Sequence, residues 1–311
     1  MRRVRAVVNR ASGGAGRDAD VALERAFAEH GLEAQVAVVD PADVEHAVRA
    51  ALDAAPDLLV LVAGDGTARF AGQACGPGGP LLAPLAGGTM NMLPHALYGP
   101  RPWRAMVGDL LETGEVRDVS GGEVDGRAFF VAAILGAPAL WASAREALRA
   151  GKLRIAWLRA ERAVRRAFSG RLRFALDGGE RRRTEALTLM CPLVARSGVS
   201  GALEANALDP RGATEAFRLG ARTLLPGGDW RADASVTTGA CFEGRAWAHG
   251  RIPLVLDGEP HRLPPEVTFR FTPRAFRAYV PAAMRDTGSP TDATAAAAGA
   301  AADEVVRSAG R

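Results

Sequence analysis

From residue 4 to about residue 90, short apolar runs alternate with stretches whose apolar residues recur at helical spacing. Val4–Val8 predicts a strand, followed by the loop Asn9-Arg10-Ala11-Ser12-Gly13-Gly14-Ala15-Gly16. Val21, Ala22, Phe27 and Ala28 predict a helix from about Asp18 to His30, ending at Gly31. Glu33–Val39 alternates like a strand, and Asp40-Pro41 predicts a helix start with proline at the first helical position. Val44, Ala47, Val48, Ala51 and Leu52 continue that helix. Leu58–Val62 is continuously apolar, the pattern of a strand buried on both faces. It leads into Ala63-Gly64-Asp65-Gly66-Thr67 and a further helical stretch. Leu81–Leu85 is a fourth strand, running into Ala86-Gly87-Gly88-Thr89-Met90-Asn91. Strands alternating with helices predict a parallel α/β sheet, whose ligands sit beyond the carboxyl ends of the strands.

The pattern changes after about residue 120. Gly122–Val131, Gly170–Leu176, Glu185–Cys191, Ala232–Thr238 and Val267–Phe271 read as strands separated by turn-rich pieces, which predicts a mostly β second domain. One helical pattern, Lys152–Phe168, interrupts it. The expected domains are residues 1–120 (α/β), residues 121–284 (a β-sandwich whose final segment returns to the first domain) and an Ala-rich mobile tail, 285–311.

A length of 311 residues suits two domains, and 48% hydrophobic with 24% charged residues excludes disorder over most of the chain. The net charge is +4, a mild excess that points to no nucleic-acid partner. Of the 39 basic residues only Lys152 is lysine. A biased coding composition that also inflates alanine accounts for most of the arginine. Arginine also pairs bidentately with phosphates. Cys75, Cys191 and Cys241 are few and scattered, which fits a reducing compartment and neither a disulfide framework nor a zinc site. The apolar residues after Met1 are too few for a signal peptide, and the run Phe129–Ala142 is too short to span a bilayer. The expected location is cytoplasmic, with peripheral contact at the inner membrane face.

Three glycine-bearing loops, Asn9–Gly16, Gly64–Thr67 and Gly87–Asn91, follow three strands of the α/β half. Glycine lets backbone N–H groups approach an anion, and a helix N-terminus behind each loop adds a favourable dipole. Singly, each loop reads as a strand-to-helix turn. Together at one sheet edge they predict a nucleotide or phosphate cleft. Neither the Walker A pattern nor GxGxxG is present. Asp65 between two glycines would be repelled by phosphates unless a cation such as Mg²⁺ intervened.

In sequence order these motifs resemble the diacylglycerol kinase catalytic-domain family, which includes bacterial lipid kinases and sphingosine kinases. Gly64-Asp65-Gly66-Thr67 resembles the family's GGDGT, and Asn9-Arg10-Ala11-Ser12-Gly13 its opening NPxSG. Pro84-Leu85-Ala86-Gly87-Gly88-Thr89-Met90-Asn91 resembles P-x-GTxND with one inserted residue. Arg117-Asp118-Val119, Leu256-Asp257-Gly258-Glu259 and Tyr279-Val280-Pro281 are similar to the later motifs, so the resemblance covers about residues 4–281.

The resemblance implies an α/β nucleotide-binding domain followed by a β-sandwich, with ATP, Mg²⁺ and a diacylglycerol-like lipid in the cleft. It implies nucleotide binding by Asn9, Ser12, Gly13, Gly64, Asp65, Gly66, Thr67, Gly88, Thr89 and Asn91, of which Gly64, Asp65, Gly66, Thr67 and Thr89 would hold the phosphates, with Asp65 meeting Mg²⁺ through the nucleotide. Glu259 would be the general base, with Asp257 beside it. For Asp257-Gly258-Glu259 the residues alone read as a hairpin turn. Asp209 lies near a stretch where some bacterial members hold a structural Mg²⁺, although Pro210 and Arg211 disrupt that motif. The chain departs from the family at Ala63, Arg10, Arg69, Phe70 and Met92, and Asp40 stands where a nucleotide-contacting threonine is common. Two rivals follow. One is a kinase of the wider GDGT group acting on a soluble substrate such as NAD; the other is a catalytically silent lipid- or nucleotide-binding protein.

Leu153, Trp157, Ala160, Val164 and Phe168 form one stripe of the Lys152–Phe168 pattern, with Arg154, Arg162, Arg165 and Arg166 largely elsewhere. Such a helix either lies on anionic lipid or covers one end of the sandwich.

Overall fold

The computed structural model describes residues 3–136, 172–195, 201–210 and 230–282. The Lys152–Phe168 helix and the 285–311 tail lie outside the described residues. Contacts divide the described residues into two units, one made of residues 3–121 and 273–282, the other of those between 122 and 272.

The first unit runs β1 (Arg3–Asn9), α1 (Ala19–Glu29), β2 (Glu33–Val39), α2 (Val44–Asp53), β3 (Leu58–Ala63), α3 (Asp65–Cys75), β4 (Leu81–Ala86), α4 (Met92–Tyr98) and α5 (Trp103–Thr113). Its strands are parallel in the order β2-β1-β3-β4. The chain moves outward from β1 to β2 and then returns past β1 to β3. The connections therefore leave β1 and β3 in opposite directions, which opens a crevice at their carboxyl ends. All six residues of β3 are buried, as its unbroken apolar run requires. Leu23 and Phe27 of α1, Val44 and Val48 of α2, and Ala68 and Ala71 of α3 complete the core.

One boundary differs from expectation. Asp40-Pro41 opens a turn, closed by the Asp43 N–H donating to the Asp40 carbonyl at 3.0 Å, and α2 starts only at Val44. Proline's fixed φ suits a turn as well as a first helical residue, so it could not separate the two. Two further helices, α4 and α5, fall in a stretch for which the pattern gave no assignment.

The second chain portion runs β5 (Gly114–Val124), β6 (Arg127–Phe129), β7 (Ala132–Gly136), β8 (Leu172–Leu176), β9 (Arg182–Thr184), β10 (Ala186–Met190), β11 (Leu203–Leu208), β12 (Val236–Cys241), β13 (Glu243–Trp247), β14 (Ile252–Leu256), β15 (Glu259–Leu263) and β16 (Glu266–Pro281). β5 begins in the first unit, and β16 ends there, with Ala278 beside Leu82. Within the second unit one antiparallel sheet has the order β12-β11-β10-β7-β14-β15. A second sheet has β16-β13-β8-β9, with the β5–β6 hairpin beside β16. Inward side chains of both sheets, among them Phe129, Phe174, Leu187, Leu203, Leu254 and Phe269, share one core. This is the expected β-sandwich.

Two strand boundaries are corrected. Gly122–Val131 is broken by Asp125-Gly126, both at positive φ (51° and 76°), which makes a two-residue hairpin between β5 and β6. Ala232–Thr238 starts too early. Asp233 Oδ1 accepts both the N–H and the hydroxyl of Ser235 in a turn, so β12 begins at Val236.

Candidate active site

The three glycine loops leave the carboxyl ends of β1, β3 and β4, and backbone hydrogen bonds hold them together. The Gly14 N–H donates to the Gly87 carbonyl at 2.9 Å, and the Gly87 N–H donates to the Ala63 carbonyl at 3.2 Å. A Cβ on Gly87 would lie 2.7 Å from Ala63 N, and one on Gly88 would lie 2.7 Å from Gly64 Cα. Glycine at these two positions is thus demanded by the close approach of backbones. Ala63 ends β3 without a positive φ, so alanine is tolerated where the family has glycine.

Gly13 and Gly64 differ. Neither has a positive φ; a Cβ on Gly13 would meet nothing within 4 Å, and one on Gly64 only Gly88 Cα at 3.9 Å. The fold does not require glycine at either place, yet both leave backbone exposed beside the crevice. Gly64 is the N-cap of α3 in extended conformation, with no side-chain cap, so the first-turn N–H groups carrying the positive end of the dipole are not capped by its side chain. Asp65, Gly66 and Thr67 form that first turn and are partly exposed. We expect Gly64→Ala to leave thermal stability within about 1 kcal/mol of wild type. Gly88→Ala should cost about 2 kcal/mol or more, through backbone overlap. Thermal denaturation of the pair checks this contrast.

Asp65 also ties two loops together, because its Oδ1 accepts the N–H of Met92, the first residue of α4. Asn91 reaches φ 50°, and its side chain makes a closed pair with Gly88, accepting the Gly88 N–H at 2.7 Å and donating to the Gly88 carbonyl at 2.9 Å. Asn91 is buried, whereas Thr89 is exposed at the loop tip. In the first loop Asn9 Oδ1 accepts the Ala11 N–H at 3.0 Å, and the Ser12 N–H donates to the Asn9 carbonyl at 3.0 Å. Ser12 is half-buried and Gly13 exposed.

Sequence reasoning missed the clamp on this loop. The Trp103 indole N–H, from α5, donates to the carbonyls of Gly14 (3.0 Å) and Ala15 (3.2 Å). Arg104 stacks on that indole at 4.5 Å and donates to Asp18 at 2.7 Å. No short motif carries this contact, which joins residues nearly 90 positions apart. Trp103→Phe removes the donor and leaves two carbonyls short of a partner. A loss of about 1–2 kcal/mol is expected by thermal denaturation.

The departures from the family motifs have local partners. Arg10 faces Asp40 at 3.9 Å with both side chains about two-thirds exposed, a weak ion pair at the loop mouth. Phe70 lies under the Arg49 guanidinium at 4.9 Å and so joins α2 to α3.

In the second unit, Asp257-Gly258 forms a two-residue hairpin turn between β14 and β15, with φ of 44° and 88°. Asp257 is 2% exposed. Its Oδ2 accepts the Phe130 N–H at 2.8 Å, and its Oδ1 accepts those of Val131 and Ala132, each at 2.9 Å. The carboxylate thereby fixes the hairpin to the segment entering β7. Glu259, partly exposed, is the first residue after the turn. Burial, and secondarily the Asp257 charge, push the neighbouring Cys191 thiol up, while burial raises Cys75 to about 12. Burial, and then Asp177, raise Cys241 to about 12 as well. All three are therefore thiols rather than nucleophilic thiolates at neutral pH. Asp209 is exposed at the end of β11, its N–H donating to the Ser235 carbonyl at 2.8 Å. Among the described residues no group of three His, Cys, Asp or Glu is placed to hold a metal ion. Among them, too, no helix is long and apolar enough to cross a membrane.

Residues 3–124 match the family model of the diacylglycerol kinase catalytic domain. No match is found among curated proteins. Of the solved structures that share the fold, a diacylglycerol kinase from Bacillus anthracis str. Sterne is 14% identical, with 91% of this chain and 98% of that one covered and a TM-score of 0.65. Two proteins assigned as diacylglycerol kinases in the same organism are 18% and 17% identical over the same shares, with TM-scores of 0.67 and 0.69. At these identities the likeness is one of fold. The fold is shared across both units, and residues 3–124 are similar to the diacylglycerol kinase catalytic domain.

Proposed function

We propose that the chain transfers the γ-phosphoryl group of ATP to the hydroxyl of a diacylglycerol-like lipid. The observation that carries this reading is the pair Gly13 and Gly64, glycines that the fold does not need, flanking the crevice at the uncapped start of α3. Such positions suit a ligand whose anionic oxygens must approach backbone N–H groups more closely than a Cβ allows.

The residues present fit a nucleotide with its cation. The N–H groups of the first and second loops and the α3 N-terminus would hold the phosphates, and Thr67 and Thr89 would supply hydroxyl donors. Asp65 would face Mg²⁺, an ion that commonly takes one or two carboxylates and leaves its other positions to phosphate and water. When bound, Mg²⁺ neutralises charge on the phosphates. Glu259 takes the proton from the lipid hydroxyl. The hydroxyl oxygen then bonds to the γ-phosphorus, the bond to the β–γ bridging oxygen breaks, and ADP leaves with that electron pair. Asp257 positions Glu259 by holding the hairpin and needs no contact with substrate.

The test is a panel of diacylglycerol, ceramide or sphingoid base, and NAD with labelled ATP. The proposal expects label in the organic phase. Label transferred only to NAD would establish a soluble-substrate kinase, and nucleotide binding without transfer to any member a silent binding protein.

A further inference from the structure

We propose that the outer face of the second sheet of the β-rich unit, around Arg173, Arg183, Arg245 and Trp247, docks on an anionic phospholipid bilayer. This rests on the reading that the substrate is a lipid. Leu172 and Phe174 of β8 point into the core, so Arg173 between them points outward. By the same alternation Ala246 of β13 is inward, and Arg245 and Trp247 are outward. Arg173 stands directly opposite Arg183 of β9 on one side and Trp247 on the other. Arg181, in the turn before β9, lies over the Trp247 ring at 4.8 Å.

Like charges directly opposed across a strand pair are unfavourable unless something supplies the counter-charge. Among the described residues, Arg173, Arg183 and Arg245 are exposed and make no ion pair, although Arg270 on the same face is paired with Glu123 at 2.8 Å. The nearby carboxylates do not fill that role. Asp177 accepts the N–H groups of Phe242 and Glu243. Glu243 shares the face, two residues before Arg245 and opposite Arg270, but among the described residues it is ion-paired with neither, so it offsets only part of the charge. Glu266 stands at the far end of the row, beyond Trp247. Charge on a short edge strand often serves only to prevent strand pairing. That explains Arg182 and Arg183 on β9 but not Arg173 and Arg245 on interior strands. A broad exposed arginine face with an indole between the charges matches the headgroup layer of an anionic membrane, where tryptophan is favoured and each basic residue adds to binding.

The experiment is co-sedimentation of the full chain with vesicles of phosphatidylglycerol and phosphatidylcholine in equal parts, and with pure phosphatidylcholine. Wild type is compared with the triple variant Arg173→Gln, Arg183→Gln, Arg245→Gln and with its glutamate counterpart. Each arginine contributes about fivefold in partition, so the glutamine variant should bind the anionic vesicles roughly 100-fold more weakly, and the glutamate variant weaker still. Thermal stability, and phosphorylation of diacylglycerol dispersed in neutral detergent micelles, should be unchanged. Equal binding of wild type to both kinds of vesicle, or binding of the glutamine variant within threefold of wild type, would overturn the proposal. So would tighter binding to a single-stranded oligonucleotide than to anionic vesicles. If wild type phosphorylates nothing in micelles but the vesicle difference persists, the docking face stands and the lipid-kinase reading fails.

Discussion

Asp257→Ala is expected to destabilise the β-rich unit by about 3–6 kcal/mol, since it strips the partner from three buried N–H groups at once. That is a large share of the roughly 5–15 kcal/mol by which a folded domain exceeds its unfolded state. Alanine is also poorly suited to φ 44°, a conformation that asparagine and aspartate adopt more readily. Asp257→Asn should therefore cost about half as much. With its oxygen in the Oδ1 position the amide still accepts from Val131 and Ala132, and only the Phe130 N–H faces another donor. Asp257→Gly separates the two contributions, because it relieves the backbone while leaving the three N–H groups unmet. Denaturant titration of the four proteins gives the order wild type, Asn, Gly, Ala. An alanine variant within 1 kcal/mol of wild type would mean that the carboxylate does not hold the hairpin.

Glu259→Gln is expected to do the opposite, leaving stability nearly unchanged while lowering kcat by roughly 10²–10⁴, the usual contribution of a positioned general base. Glu259 is partly exposed at the start of β15, where an isosteric amide keeps the size and shape of the side chain and removes its basicity. Single-turnover transfer from ATP to micellar diacylglycerol, with nucleotide affinity measured in parallel, isolates that effect. A loss below tenfold, or an equal loss of nucleotide affinity, would remove Glu259 from the role of base. The two neighbouring acidic residues thus make opposite predictions: Asp257 for the fold, Glu259 for the rate.

The contrast between these residues shows what the sequence can and cannot convey. The turn itself was legible, since Asp-Gly between apolar runs is a hairpin signal. The three N–H groups that receive the Asp257 carboxylate lie about 126 positions away, and no local pattern announces them. The same division holds in the α/β unit. Leu58–Val62 declared itself a doubly buried strand, and the alternation of strands and helices implied a parallel sheet with its loops at one edge. Gly87 and Gly88 looked like phosphate-binding glycines, yet both are needed for backbone packing, whereas Gly13 and Gly64 are not. That distinction depends on distances between loops, which residue type does not encode. Pro41 misplaced a helix start because its φ serves turn and helix alike. The Trp103 clamp went unseen because a tryptophan near a proline carries no sign of which carbonyls its indole will meet. The exposed arginines of β8, β9 and β13 were likewise lost within an arginine-rich composition until strand register put them side by side.

The most direct test of phosphoryl transfer at the glycine crevice compares wild type with Asp65→Asn on a total lipid extract and γ-labelled ATP. Asparagine keeps an oxygen to accept the Met92 N–H, so the loops stay joined, while the charge that would face the cation is gone. Wild type should place label in the organic phase, and the variant should yield roughly 100-fold less product or lower still. Equal product from both proteins, or label that stays wholly in the aqueous phase with wild type, would contradict lipid phosphorylation at this site.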